Sequence, residues 1–272
     1  MTFRKIVFFI ILFCFVLTTF SVKAQNESQD KAIALIQNAI TALGGQAYLS
    51  IKSERAQGFV TPYRLTNTEN PESTETEPDK IGTQSFVDYI LLPDKERVEF
   101  KNQGRLFIQS NSAKHNWIYD SDSELLRDQT QAQQQRFANT LRYQIDKILR
   151  GGWKSENVKI SYLSRQELWP RQYGEGVRLS YSDNEEAEVF FDPQTKLPLA
   201  LRFPKENFEG VRVKAENRFL RYLEFNGITA PYVVDLFENG KQILRINYET
   251  RDFNVPILEK LFVKPANAKS VK

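Results

Sequence analysis

The run Glu188-Val-Phe-Phe-Asp-Pro-Gln-Thr-Lys-Leu-Pro-Leu-Ala-Leu-Arg-Phe203 leaves this chain little choice but a β-hairpin. Val189 and Phe191 share one face of its first half. Leu197, Leu199, Leu201 and Phe203 share one face of its second, with Ala200 and Arg202 opposite. Alternation of period two places one oily face on a sheet. Between the halves, Asp192-Pro193 opens a turn, because Pro presets φ and the Asp side chain can accept from the backbone beyond it.

The same grammar recurs along most of the chain. Asn226-Gly227 and Asn239-Gly240 are strong hairpin signals, since both central residues of the favoured turn need positive φ. Tyr173-Gly174, Ser182-Asp183-Asn184 and Glu209-Gly210 punctuate the rest of the C-terminal half. Upstream, Ser53–Leu65, Gln84–Leu92, Arg97–Phe100, Leu106–Ile108 and Asn116–Asp120 alternate as strands, with turns at Pro93-Asp94-Lys95 and Asn102-Gln103-Gly104. Two segments instead carry the helical period. Asp30–Leu43 spaces Ile33, Ile36, Ile40 and Leu43 by three and four, with Ser28 or Asp30 as cap and Gly44-Gly45 as stop. Gln129–Leu149 spaces Phe137, Leu141, Ile145 and Ile148 likewise and stops at Gly151-Gly152. The predicted class is α+β, an antiparallel meander with two packed helices. Several strands are apolar on both sides, so neither face is expected to be fully open to water.

Residues 1–24 read as a secretory signal peptide. Arg4 and Lys5 precede the apolar run Ile6–Phe20, and Val22-Lys23-Ala24 offers small residues for cleavage after Ala24. The expected organisation is this leader, one domain over 25–265 with a mobile acidic loop at 66–82, and a loose tail at 266–272. The leader carries three of the 37 basic residues and no acid, so the remainder balances at 34 against 34. Such a chain lacks the cationic surplus that nucleic acid requires. The single cysteine, Cys14, also lies in the leader, which leaves the mature chain without disulfide, thiol nucleophile or thiolate metal site. An export signal points to the periplasm.

Catalytic constellations are lacking. His115 is the single histidine, Ser110 and Ser112 near it sit in no Gly-x-Ser-x-Gly elbow, and no Gly-rich loop is placed to cradle phosphate. Asp120-Ser-Asp-Ser-Glu124 begins like a calcium loop, but Leu125 stands where Gly is needed and Gln131 where a bidentate Glu is needed. It reads as turn and helix-capping residues. The expectation is no catalytic residue, no metal and no cofactor. Asp183, Glu185, Glu186 and Glu188 fall in a turn and on an outer strand face, so a carboxylate-based hydrolase stands as the weakest alternative.

What remains is apolar surface, with 28 aromatic residues once the leader's six are taken from 34. They form either a solid core or the wall of a pocket for an apolar guest. For a guest, strand parity nominates Val87, Tyr89, Leu91, Val98, Phe100, Leu106, Ile108 and Trp117 as lining. Leu199 and Leu201 of the hairpin join them.

A resemblance follows from several short motifs. Ala42-Leu43-Gly44-Gly45 ends the first helix. Leu92-Pro93-Asp94-Lys95-Glu96-Arg97-Val98-Glu99-Phe100 and Trp117-Ile118-Tyr119-Asp120 follow. Phe191 to Pro198 comes after the helical insertion, and Phe225-Asn226-Gly227-Ile228-Thr229-Ala230-Pro231 and Phe253-Asn254-Val255-Pro256 close the chain. In this order they resemble the LolA/LolB-like superfamily of periplasmic lipoprotein carriers. The resemblance implies a strongly bent antiparallel sheet, an incomplete β-barrel, with helices plugging or covering its concave face. It also implies lipid or lipoprotein acyl chains as cargo, envelope membrane proteins as further partners, and no enzymatic activity. Leu92 and Glu96 stand where the carrier has an Arg and an aromatic tied to lid movement, so that gating is not carried over. The rival reading keeps the fold with a solid core and makes it an envelope module for binding a protein or glycan.

Overall fold

The computed structural model describes residues 25–63, 82–207 and 209–271. The leader, 1–24, and nearly all of the acidic stretch at 66–82 lie outside them. Thirteen strands form one antiparallel sheet: β1 (Ser53–Pro62), β2 (Gln84–Leu91), β3 (Lys95–Asn102), β4 (Arg105–Asn111), β5 (Trp117–Asp120), β6 (Leu125–Asp128), β7 (Val158–Trp169), β8 (Gln172–Tyr181), β9 (Glu186–Phe191), β10 (Pro198–Glu206), β11 (Arg212–Phe225), β12 (Ile228–Glu238) and β13 (Lys241–Phe253). Their spatial order is β6-β5-β4-β3-β2-β1-β13-β12-β11-β10-β9-β8-β7. Two meanders are thus fused where the first strand pairs with the last. β6 and β7 are the free edges, so the sheet is not closed into a barrel. The Asn-Gly turns take the required positive φ, 52° and 77° at Asn226-Gly227 and 49° and 81° at Asn239-Gly240. In the 188–203 hairpin the Asp192 carboxylate accepts from the backbone N–H of Gln194 and Thr195, at 2.8 and 2.7 Å.

Helix α1 (25–42) packs on the concave side of β7–β12. It buries Ala32, Ile36 and Ala39, with Leu43 buried just past its end, and the two alanines let the helix lie close to the sheet. Ser28 accepts from the Tyr162 N–H and so ties the helix to β7 instead of capping it. Gly44 takes φ 121°, and any side chain there would meet the Gly227 carbonyl, so the β11–β12 turn packs against the helix stop. A short helix, α2 (Gln46–Leu49), leads into β1.

The predicted helix over 129–149 is divided into α3 (Gln131–Arg142) and α4 (Ile145–Leu149). Thr130 and Gln133 close a capping box on α3. The break comes at Tyr143, which is buried, stacked on Phe203 at 4.7 Å and edge-on to Tyr181 at 5.9 Å. That contact turns the chain so that α4 can bury Ile148 and Leu149, while α3 has no buried residue and reaches across the two arms of the sheet. The segment after Asp120 continues into β6 and not directly into a helix, as the sequence reading had it.

The C-terminal segment beyond β13 is described to residue 271. It crosses the convex face, where the Phe262 carbonyl accepts from Trp117 Nε1 at 3.0 Å and the Leu261 carbonyl accepts from Arg97 at 2.9 Å. Phe262 is buried, and Ala268 and Val271 pack on the Ile108, Trp117 and Tyr119 cluster. Apolar contact of this kind anchors residues that composition alone marks as a basic tail.

Candidate functional site: the concave groove

Register fixes which side chains share the concave face, because directly opposed residues of antiparallel strands point the same way. One row runs Phe107, Phe100, Phe86, Gly58, Tyr248 across β4, β3, β2, β1 and β13. The next runs Gln109, Val98, Asp88, Ala56, Arg251, and the third Asn111, Glu96, Ile90, Glu54, Phe253. Gly58 sits at a register shift where a Cβ would collide with the Asn247 carbonyl. Without a side chain there, the Phe86 and Tyr248 rings meet edge-to-face across it at 5.7 Å.

The two arms differ in how they are filled. On β7–β12 the concave face is packed by α1 and α4, around Val177, Leu179, Val189, Phe191, Leu201 and Phe219. On β1–β4 and β13 it encloses a groove of about 460 Å³ with a mainly apolar wall of Val60, Phe86, Val98, Phe100, Ile246 and Tyr248. A second space of about 400 Å³, reaching beneath α3, shares Glu96, Val98 and Phe100 with it. Phe137 of α3 and Phe203 of β10 add apolar surface on the far side, where Lys205 is neutralised by Glu238 at 2.7 Å.

The deep end of the groove is charged. Arg251 donates from Nε to Glu54 at 2.6 Å and lies over the rings of Tyr248 and Phe253. Burial opposes its charge, but Glu54 and the nearby Tyr248 more than offset this and raise its pKa. Asp88 lies beside this pair across Ala56, and Glu96 is its diagonal neighbour on β3. Among the described residues neither Asp88 nor Glu96 makes an ion pair, and Asp88 Oδ1 is buried with no hydrogen-bond partner. Burial, followed by the carboxylates of Glu96 and Glu54, pushes Asp88 well above the usual carboxylate range, with Arg251 pulling the other way. Burial, with Glu54 adding to it, pushes Glu96 up to about 7. Behind them Tyr48 donates to Asp146 of α4 at 2.7 Å, closing an inner space of about 60 Å³ that Glu54 and Arg251 also line.

Of the lining residues read from the sequence, Val98 and Phe100 stand in the groove and Leu201 is packed in the core beneath the helices. The expectation of one shared face is corrected for six others. Val87, Tyr89, Leu91, Leu106, Ile108 and Trp117 point to the convex side, where Tyr89, Arg97, Ser110 and Trp117 form one row. Leu199 packs with Leu168, Phe190 and Ala200 on that side too, because the register shifts between Pro198 and Ala200. Phe86, Phe107, Ile246, Tyr248, Asp88 and Glu96 were missed. The available signal was a charged residue, Asp88, inside the apolar strand Phe86-Val-Asp-Tyr-Ile90. A buried strand position gives up water around a carboxylate only at a cost.

No family model and no curated protein matches the chain. Among solved structures it is similar to a DUF1329 family protein from Desulfovibrio piger, at 12% identity and TM-score 0.57, covering 85% of this chain and 97% of that one. It is also similar to a LolA superfamily protein from Nitrosomonas europaea, at 10% identity and TM-score 0.48, covering 83% and 97%. At these identities the likeness is one of fold: the chain shares with the Desulfovibrio piger protein an open antiparallel sheet, here with helices against its concave face.

Proposed function

We propose that the protein is a periplasmic, non-enzymatic binder or carrier of a molecule with an apolar chain, a lipid or a lipoprotein acyl group. The observation that carries this reading is the groove of about 460 Å³ with its wall of aromatic and aliphatic side chains on one arm of the sheet. Its size lies within the range of small-molecule sites, about 300–1,000 Å³. A chain of ~15 methylenes gains on the order of 12 kcal/mol on leaving water, at ~0.8 kcal/mol each, and an apolar groove supplies the place for it. The leader-like start supports export, and among the described residues no helix is long and apolar enough to cross a membrane.

The packed arm on β7–β12 favours the solid-core module for half of the concave face, which confines the carrier reading to the other half. Hydrolysis by paired carboxylates would need one group held ionised beside one held protonated. Burial raises both Asp88 and Glu96, and the apolar wall around them makes the hydrolase the weaker alternative to the binder. Native mass spectrometry of the secreted chain, with lipid extraction, and uptake of a fluorescent fatty acid test the reading. Co-purified lipid or saturable uptake is expected. Absence of both would replace the carrier with the binding module.

A further inference from the structure

Resting on the reading above, we propose that the ligand is an amphiphile with a protonated amine or similar cationic donor at its head. The head would be held by Asp88 and Glu96 while the chain lies along Phe86, Val98, Phe100 and Tyr248. The groove is graded along its length. Val60, Leu244 and Ile246 line it toward one end, the aromatic row follows, and the carboxyl groups stand at the other. Both carboxyls line the same space as the apolar residues, so a chain long enough to fill the groove brings its end to them.

The charges around these two groups leave a cation to be supplied. Arg251 is already engaged by Glu54 at 2.6 Å and by the Pro231 carbonyl at 3.3 Å. On the inner side Asp146 of α4 is joined to Tyr48, and Arg150 donates to the Ile51 carbonyl and lies over the Tyr48 ring. The cations of the neighbouring space are Arg136 of α3 and Lys205 of β10, and Lys205 is paired with Glu238. Asp88 Oδ1 accepts from no donor although it is buried, and a buried acceptor left unpaired is costly. No three acids among the described residues are placed to hold a metal ion, which disfavours a divalent cation as the missing partner. An ammonium has three donors and is compact, which suits two carboxyls on adjacent strands.

The test compares three probes of equal chain length, dodecylamine, dodecanol and dodecanoic acid, by displacement of a fluorescent fatty-chain probe from the full mature chain. At a pH about one unit above 7, Glu96 is ionised and the amine is protonated. Charge-assisted hydrogen bonds are roughly twice as strong as neutral ones, so the amine should bind at least about tenfold tighter than the alcohol. The acid should bind more weakly than the alcohol. Asp88→Asn with Glu96→Gln should bring the amine within about twofold of the alcohol. If the double variant does not fold, Glu96→Gln alone should still narrow the gap. Equal binding of all three probes, or preference for the acid, overturns the head-group inference and leaves the apolar-chain reading standing. No binding of any probe overturns that reading and this inference with it.

Discussion

Replacing Glu96 by Gln tests whether the groove holds a carboxyl under electrostatic load. In the folded chain burial, and then Glu54, raise its pKa from 4.5 to about 7. The native state therefore keeps a proton that the unfolded chain has already released. Between those two values the native state binds more protons, so stability falls as pH rises. The stabilising effect of that proton is complete below about pH 4.5 and gone above about pH 7. The gap is about 2.5 units, and at 1.36 kcal/mol per unit it amounts to roughly 3 kcal/mol at the alkaline end. Glu96→Gln carries no titrating proton. Relative to the parent it should gain up to roughly 3 kcal/mol at about pH 8 and little or nothing at about pH 4. Urea unfolding followed by tryptophan fluorescence at intervals across this range measures the difference directly. A difference that stays flat with pH would mean that Glu96 is solvated in the native state, and the reasoning about the charged end would be refuted.

Three other perturbations follow from the geometry. Arg251→Leu leaves Glu54 buried without its partner, and the unfolding free energy should drop by about 3–5 kcal/mol. Adding Glu54→Leu should recover much of that loss in the same denaturant titration, and failure to recover would assign the cost to packing alone. Val98→Trp fills the groove from β3, so uptake of a fluorescent fatty acid should be lost while near-ultraviolet circular dichroism of the sheet is kept. Tyr143→Ala removes the stack on Phe203 and the edge contact with Tyr181 at the α3–α4 break. It should cost about 3–5 kcal/mol, the range for truncating a large buried aromatic, with faster amide exchange confined to α3 and α4.

The local parts of the fold were legible because they depend on neighbours in sequence. Asn226-Gly227, Asn239-Gly240 and Asp192-Pro193 make the turns they announce, and Gly44-Gly45 and Gly151-Gly152 stop the helices they follow. The pairing of β1 with β13 joins residues about two hundred positions apart and has no local signal. The groove escaped for a different reason. On β2 the convex side chains are Ser85, Val87, Tyr89 and Leu91, three of them apolar or aromatic, whereas the concave row is Gln84, Phe86, Asp88 and Ile90. An apolar count therefore selects the wrong side, since register by one residue exchanges the two faces. At the Glu188–Phe203 hairpin, Leu201 and Phe203 do share a face, but the shift after Pro198 sends Leu199 to the other. The oily face of that hairpin meets the helices, and the open apolar surface lies on the opposite arm.

The most direct measurement is photolabelling of the full mature chain with an alkyl-diazirine fatty acid, followed by peptide mapping. Label is expected on β2, β3 and β13, at Phe86, Val98, Phe100, Ile246 and Tyr248, and should be displaced by unlabelled lipid. Label concentrated on the convex face around Ile108 and Trp117, or spread without competition, would contradict an apolar chain held in the concave groove.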